Sequence, residues 1–97
     1  MTPRQKRDRT RMLKTRYGLT LADYEMMFAA QNGVCAICHQ TETHRSRGGR
    51  IQPLSVDHDH KTGQIRGLLC DACNKLIEAF DDNPERMQRA IELLERK

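Results

Sequence analysis

Apolar residues recur at helical spacing in three stretches and alternate in two short ones, with polar sequence between them. Leu21, Tyr24, Met27 or Phe28 and Gln31 fall on one face, which predicts a helix over about 21–32. Thr20 would be its N-cap and Asn32-Gly33 would close it. The Met and aromatic stripe on this helix reads as core packing. Residues 54–56 and 65–69 have the character of short strands, joined by a turn at 61–64 in which Gly63 can take positive φ. So short a connection leaves no room for a crossover helix, so the pair is expected to be antiparallel. Residues 74–80 are helical in pattern. Asp81-Asp82-Asn83-Pro84 stops that helix and starts another, with Asn83 as N-cap and Pro84 at the first helical position. Met87, Ala90, Ile91 and Leu94 then share a face that either packs on the domain or pairs with a second copy. Residues 40–52 form a polar loop carrying Arg45, Arg47 and Arg50.

Composition sharpens this outline. At 97 residues the chain is one small domain, and with 37% hydrophobic residues, no Trp and four aromatics its core is thin. Chains of this size commonly need a staple. No apolar run of signal-peptide length follows the charged N-terminus, and none approaches the roughly 20 residues that span a bilayer. The expectation is a soluble, cytoplasmic protein with reduced thiols.

Charge is unevenly placed. Residues 1–17 hold seven of the seventeen Lys and Arg (Arg4, Lys6, Arg7, Arg9, Arg11, Lys14 and Arg16) against the single acid Asp8. The rest of the chain holds ten basic residues and twelve acidic ones. A basic arm on a nearly neutral body suggests a polyanion partner, and a solvated tail is the plain alternative. Only Met12 and Leu13 offer the arm an apolar face, so it is expected to be frayed or to fold on its partner.

Cys35-x-x-Cys38 and Cys70-x-x-Cys73 are separated by 31 residues. Four thiolates in two such knuckles suit tetrahedral zinc in a closed structural site, with a disulfide or a dithiol redox pair as rivals. His39 follows Cys38, but four cysteines already fill a tetrahedron, so it is read as a surface residue. Between the knuckles stands Asp57-His58-Asp59-His60, and the second knuckle runs directly into Asn74. A polar hairpin with incidental histidines, or a metal patch without chemistry, would account for the first run alone. Asn74 changes that. One carboxylate and one carboxamide oxygen supply two hard ligands to a magnesium ion and leave other positions for water and phosphate. A neutral imidazole nearby can take a proton from attacking water. Together these residues suit metal-assisted phosphodiester hydrolysis.

Tyr17-Gly18-Leu19-Thr20, Cys35-Ala36-Ile37-Cys38, residues 56–60, Thr62-Gly63, residues 66–70 and Cys73-Asn74, in that order, resemble the recombination endonuclease VII family of HNH, or His-Me finger, nucleases. The resemblance covers about 17–80. It implies an α+β, zinc-stabilised ββα-metal domain at 17–82, flanked by the basic arm at 1–16 and the C-terminal helix at 83–97. It also implies a DNA endonuclease leaving 5′-phosphate and 3′-hydroxyl ends. By position, Asp57 matches the family's aspartate ligand to magnesium or manganese, His58 the general base and Asn74 the second ligand. His60 matches a second histidine that contacts or orients the phosphate, and Asp59 is a solvated acid. Where the best-known member carries an acid one turn after the asparagine, this chain has Ile77, with Glu78 next. The arm, Arg45, Arg47, Arg50, Lys61 and Arg66 would contact the DNA backbone. Such contacts are largely sequence-independent. The other class considered is a non-catalytic zinc module that binds nucleic acid or protein. A phage origin would fit the family. In a regular strand, Asp57 and His58 would face opposite sides, so a shared site requires the strand to end or bulge there.

Overall fold

The computed structural model describes residues 2–45 and 48–96. It is an α+β arrangement of four helices and one two-stranded sheet. The first helix, α1 (Pro3–Tyr17), is the largest departure from expectation, because the basic arm is an ordered helix docked on the domain. Its ends explain how so polar a segment holds together. Thr2 and Gln5 form a reciprocal capping box, in which the Gln5 N–H donates to Thr2 Oγ1 at 3.2 Å and the Thr2 N–H donates to Gln5 Oε1 at 2.8 Å. Pro3 occupies the first turn. At the other end Gly18, at φ +69°, turns the chain so that its own N–H reaches Lys14 O and the Leu19 N–H reaches Leu13 O. A single anchor then docks the helix: Leu13 is 0% exposed. Arg9 adds a cation–π contact, 4.4 Å above the Tyr24 ring.

The second helix, α2 (Leu21–Ala30), begins at Thr20 as expected, with Asp23 completing another capping box. The backbone and hydroxyl of Thr20 hold the Asp23 carboxyl below its ordinary range. Tyr24 is the buried residue of this helix, and its hydroxyl donates to Leu54 O at 2.6 Å. Gln31 caps the end of α2 and then acts as a piece of strand. Its side-chain amide donates to Val34 O and Leu68 O, and its Oε1 accepts from the Leu68 N–H. One side chain thereby joins the helix end, the approach to the first knuckle and the sheet.

Strands β1 (Ser55–His58) and β2 (Ile65–Leu69) pair antiparallel. β1 runs through Asp57 and His58, further than the sequence pattern indicates. Asp57 pairs with Gly67 but His58 pairs with Ile65, so Arg66 is the extra residue of a bulge. The turn is held by Asp59, whose Oδ1 accepts from the Lys61 and Thr62 N–H groups, with Gly63 at φ +77°. Helix α3 (Asp71–Ala79) follows without a loop and packs on both strands. Asp81 and Asp82, both at positive φ, make the turn to α4 (Pro84–Glu95), which Asn83 caps through its Oδ1.

The core consists of Leu13, Tyr24, Cys35, Leu54, Val56, Leu68, Leu69, Cys70 and Cys73. α4 contributes nothing to it, and its Leu93 and Leu94 are 64% and 84% exposed. No helix among the described residues is long and apolar enough to cross a membrane. Because Leu13 is the one buried side chain of α1, Leu13→Ala is expected to lower stability by about 2–4 kcal/mol in urea unfolding. An unchanged midpoint would mean that α1 is not docked.

Candidate active site and metal centre

Two hinge-like segments bring the cysteines together. Cys35 and Cys38 sit in the turn after α2, where the Cys35 N–H reaches Gln40 O and the His39 N–H reaches Cys35 O. Cys70 is the N-cap of α3 and Cys73 lies in its first turn, so the Cys73 N–H donates to Cys70 Sγ at 3.4 Å. All four sulfurs lie within 4.8 Å of one another. Cys38 Sγ and Cys70 Sγ are 3.7 Å apart. A tetrahedral ion with metal–sulfur bonds of about 2.3 Å separates its ligands by about 3.8 Å, far beyond the roughly 2.05 Å of a disulfide. The cluster therefore fits a shared metal ion.

Its electrostatics agree with that fit. Burial works against ionisation of Cys35, but N–H groups of Cys38, Cys70 and Ile37 aimed at its sulfur bring the thiol down to about 6. Burial and the neighbouring sulfurs push Cys70 and Cys73 up. The pocket thus accommodates one negative charge readily and resists the next ones, a conflict that a dication would relieve. His39, exposed and at φ +59°, takes no part in the cluster.

Beyond the knuckle lies the hairpin. The slip in register falls opposite the Asp57–His58 step, but its extra residue is Arg66 on β2, so β1 carries no inserted residue there and simply ends at His58. The Asp57 side chain is largely buried, and both its oxygens are engaged by Arg66: Nε to Oδ2 at 2.8 Å and Nη2 to Oδ1 at 2.9 Å. The same Nη2 lies 3.4 Å from Asp82 Oδ1. Hydrogen bonding to Asp57 outweighs burial and raises the Arg66 pKa. The His58 ring has two ring neighbours, Tyr17 at 5.6 Å and His60 at 4.8 Å between centroids. His60 Nε2 is 3.7 Å from Asp82 Oδ2. Asp59 is occupied by the turn, where the Lys61 and Thr62 N–H groups hold its carboxyl below the ordinary range.

Asn74 lies half-buried in the first turn of α3, its N–H donating to Cys70 O at 2.9 Å. Among the described residues its carboxamide makes no hydrogen bond to Asp57 or His58. Ile77 packs against the core, whereas Glu78 lines a cavity of about 360 Å³ with Asp59, His60, Lys61, Arg66, Asp81 and Asp82.

The sequence model of the recombination endonuclease VII family matches residues 10–96. The chain belongs to that family. It is similar to the Gene 59 protein of Mycobacterium phage D29, 48% identical over 86 residues that cover 88% of this chain and 48% of that protein. The Gene 59 protein of Mycobacterium phage L5 is 45% identical with the same coverage. The chain thus spans about half the length of the curated relatives it matches. No solved structure matches it.

The basic residues divide by position. Arg4, Arg7, Arg11 and Lys14 are exposed and recur three or four residues apart, so they form one stripe along α1 away from Leu13. Lys6 and Arg16 are exposed off that stripe. Arg9 instead turns inward over Tyr24. Arg45 Nη1 donates to Gly49 O within its loop, Arg50 is exposed, and Arg47 lies outside the described residues. Lys61 and Arg66 line the cavity. Three site neighbours are not visible as such in the sequence. Tyr17 enters there only as the first residue of the Tyr17-Gly18-Leu19-Thr20 motif, and Asp82 only as part of a helix stop. Arg66 reads as a DNA contact, although an Arg across the hairpin from an Asp is itself a signal of cross-strand pairing.

Proposed function

We propose that this chain is a metal-dependent DNA endonuclease of the HNH type. The reading is carried by one observation: within a family match over residues 10–96, β1 ends on Asp57-His58 at a break in register, and α3 begins at the cysteine cluster that bears Asn74. Zinc on Cys35, Cys38, Cys70 and Cys73 would hold the two knuckles together. Asp57 and Asn74 would hold magnesium or manganese. The hard oxygen donors suit such an ion, and Asp57 already accepts a cation, the Arg66 guanidinium, on both oxygens. When bound, the divalent ion supplies charge stabilisation at the leaving 3′ oxygen.

The chain's own groups do the rest. His58 takes a proton from water at an imidazole nitrogen as the water oxygen attacks phosphorus and the P–O3′ bond breaks, and the leaving 3′ oxyanion takes a proton from solvent, giving a 5′-phosphate and a 3′-hydroxyl. Tyr17 and His60, its two ring neighbours, would limit the motion of that ring. His60 is close enough to the base to orient it or to meet the phosphate. Glu78, one residue beyond Ile77, stands where an added carboxylate can act in the cleft. The α1 stripe, with Arg50 and Lys61, would follow the DNA backbone. The phage relatives suit an enzyme acting on DNA in the cytoplasm of a bacterial host. The exposed leucines of α4 suit pairing with a second copy, which would set two sites on one branched substrate.

Relaxation of supercoiled plasmid with magnesium or manganese is expected, and His58→Ala and Asp57→Asn should each slow it about a hundredfold or more. Each variant should keep about one zinc per chain by metal analysis, so that loss of cleavage reports chemistry and not folding. Full cleavage by His58→Ala would overturn the role of His58 as base, and no cleavage by the intact protein would leave a non-catalytic zinc module. Parallel assays on linear and four-way-junction DNA read the preferred substrate form.

The stripe makes its own prediction. Deleting the arm would remove the buried Leu13, so the informative variant changes Arg4, Arg7, Arg11 and Lys14 to Gln. DNA affinity should fall most at low salt, and the slope of log K against log salt should flatten by about 0.9 for each phosphate that the helix no longer neutralises. An unchanged slope would remove α1 from the DNA surface.

A further inference from the structure

We propose that Arg66 is a built-in cation that competes with the divalent ion for Asp57 and is received by Asp82 when that ion binds, so that the pair sets the metal threshold of the site. This rests on the reading of Asp57 as a metal ligand. Three features of the geometry point to it.

The first is the bulge. Arg66 is the residue without a cross-strand partner, at the slip between the Asp57–Gly67 and His58–Ile65 pairs. A bulge redirects the side chain of its extra residue, and here the guanidinium meets the carboxylate of the opposite strand. The second is completeness. Nε and Nη2 take both oxygens of Asp57, in the fork geometry that only arginine offers. Each oxygen keeps a further lone pair, but an ion bound there sets its charge against the guanidinium, so the two cations compete for one carboxylate. The third is the alternative partner. Nη2 is already 3.4 Å from Asp82 Oδ1, so it can leave Asp57 without leaving carboxylate contact. Asp82 is held at φ +54° in the turn between α3 and α4, and it also faces His60. The hairpin and the α3–α4 turn therefore share one guanidinium.

The consequence is an opposition of sign between two single substitutions. Removing Arg66 frees Asp57 and should tighten metal binding. Removing the charge of Asp82 leaves Arg66 nowhere else to go and should weaken it. Asp82 also lies in the cleft that the ion enters, so its charge alone would favour the ion. The double variant separates the two effects. If Asp82 acts through Arg66, Asp82→Asn should matter much less once Arg66 is gone.

The test uses zinc-loaded protein and Mn²⁺ alone, with free Mn²⁺ followed by electron paramagnetic resonance at low ionic strength. Arg66→Gln is expected to lower the Mn²⁺ Kd by about twofold to fivefold, the scale of a partly exposed ion pair. Arg66→Lys, which cannot make the fork, should fall between it and the wild type, and it carries the test if Arg66→Gln does not fold. Asp82→Asn should raise the Kd, and that rise should shrink at least about twofold on the Arg66→Gln background. Unchanged or weaker Mn²⁺ binding in Arg66→Gln and Arg66→Lys, while Asp57→Asn abolishes binding, overturns this proposal and leaves Asp57 as the ligand. Mn²⁺ binding that survives Asp57→Asn overturns both.

Discussion

Three of the nine buried side chains in this domain are cysteines, and a fourth cysteine meets them from the exposed side. Without that convergence the remaining apolar core is Leu13, Tyr24, Leu54, Val56, Leu68 and Leu69, contributed by four separate segments of chain. Six side chains bury too little surface to offset the ordering of a chain this long. The sulfur cluster is therefore the constraint on which the rest depends. It joins the turn after α2 to the start of α3, two segments that share no hydrogen-bonded strand. Gln31 supports the same junction from the side, replacing a missing third strand with three hydrogen bonds to Val34 and Leu68. Where a larger protein would place a layer of apolar side chains, this one places a ligand set and an amide.

Positioning of the chemistry follows from that junction. Cys70 is at once a sulfur donor to the cluster and the N-cap of α3. The helix must begin at the knuckle, and Asn74 must lie one turn in. The second strand enters the knuckle directly, so the hairpin has no freedom to slide relative to α3. The bulge at Arg66 then adjusts the register between Asp57 and His58. Each element is short, but none is connected to the next by a flexible loop between Ile65 and Ala79.

Much of this is legible in the residues. Thr20, Asn83 and Pro84 announce their helix starts because caps act through local geometry, and the paired CxxC knuckles announce a shared ion because ligand spacing is a local property too. The departure at residues 1–16 has a specific cause. Composition counts apolar residues, whereas α1 is held by two caps, one fully buried leucine and an arginine lying on a tyrosine. Met12 and Tyr17 pack partly against the core beside Leu13, but three apolar residues in a helix of 15 give only a weak periodic signal. The contacts around Asp57 are hidden for another reason. Asp82 reaches Arg66 only because Asp81 and Asp82 adopt left-handed conformations, and nothing in two consecutive aspartates specifies that.

The docking of α1 changes what a basic arm means in this family member. A disordered tail attracts a polyanion but cannot report its arrival to a distant residue. Here the helix ends on Tyr17, whose ring lies against His58, and it is fastened by Leu13 in the same core as Val56, the residue preceding Asp57. The stripe of Arg4, Arg7, Arg11 and Lys14 and the imidazole of the hairpin are thus joined through one core. On the proposed function, phosphates gathered along α1 would be held at a set distance from His58. Placement of that kind lets sequence-independent contacts contribute to orientation as well as to affinity.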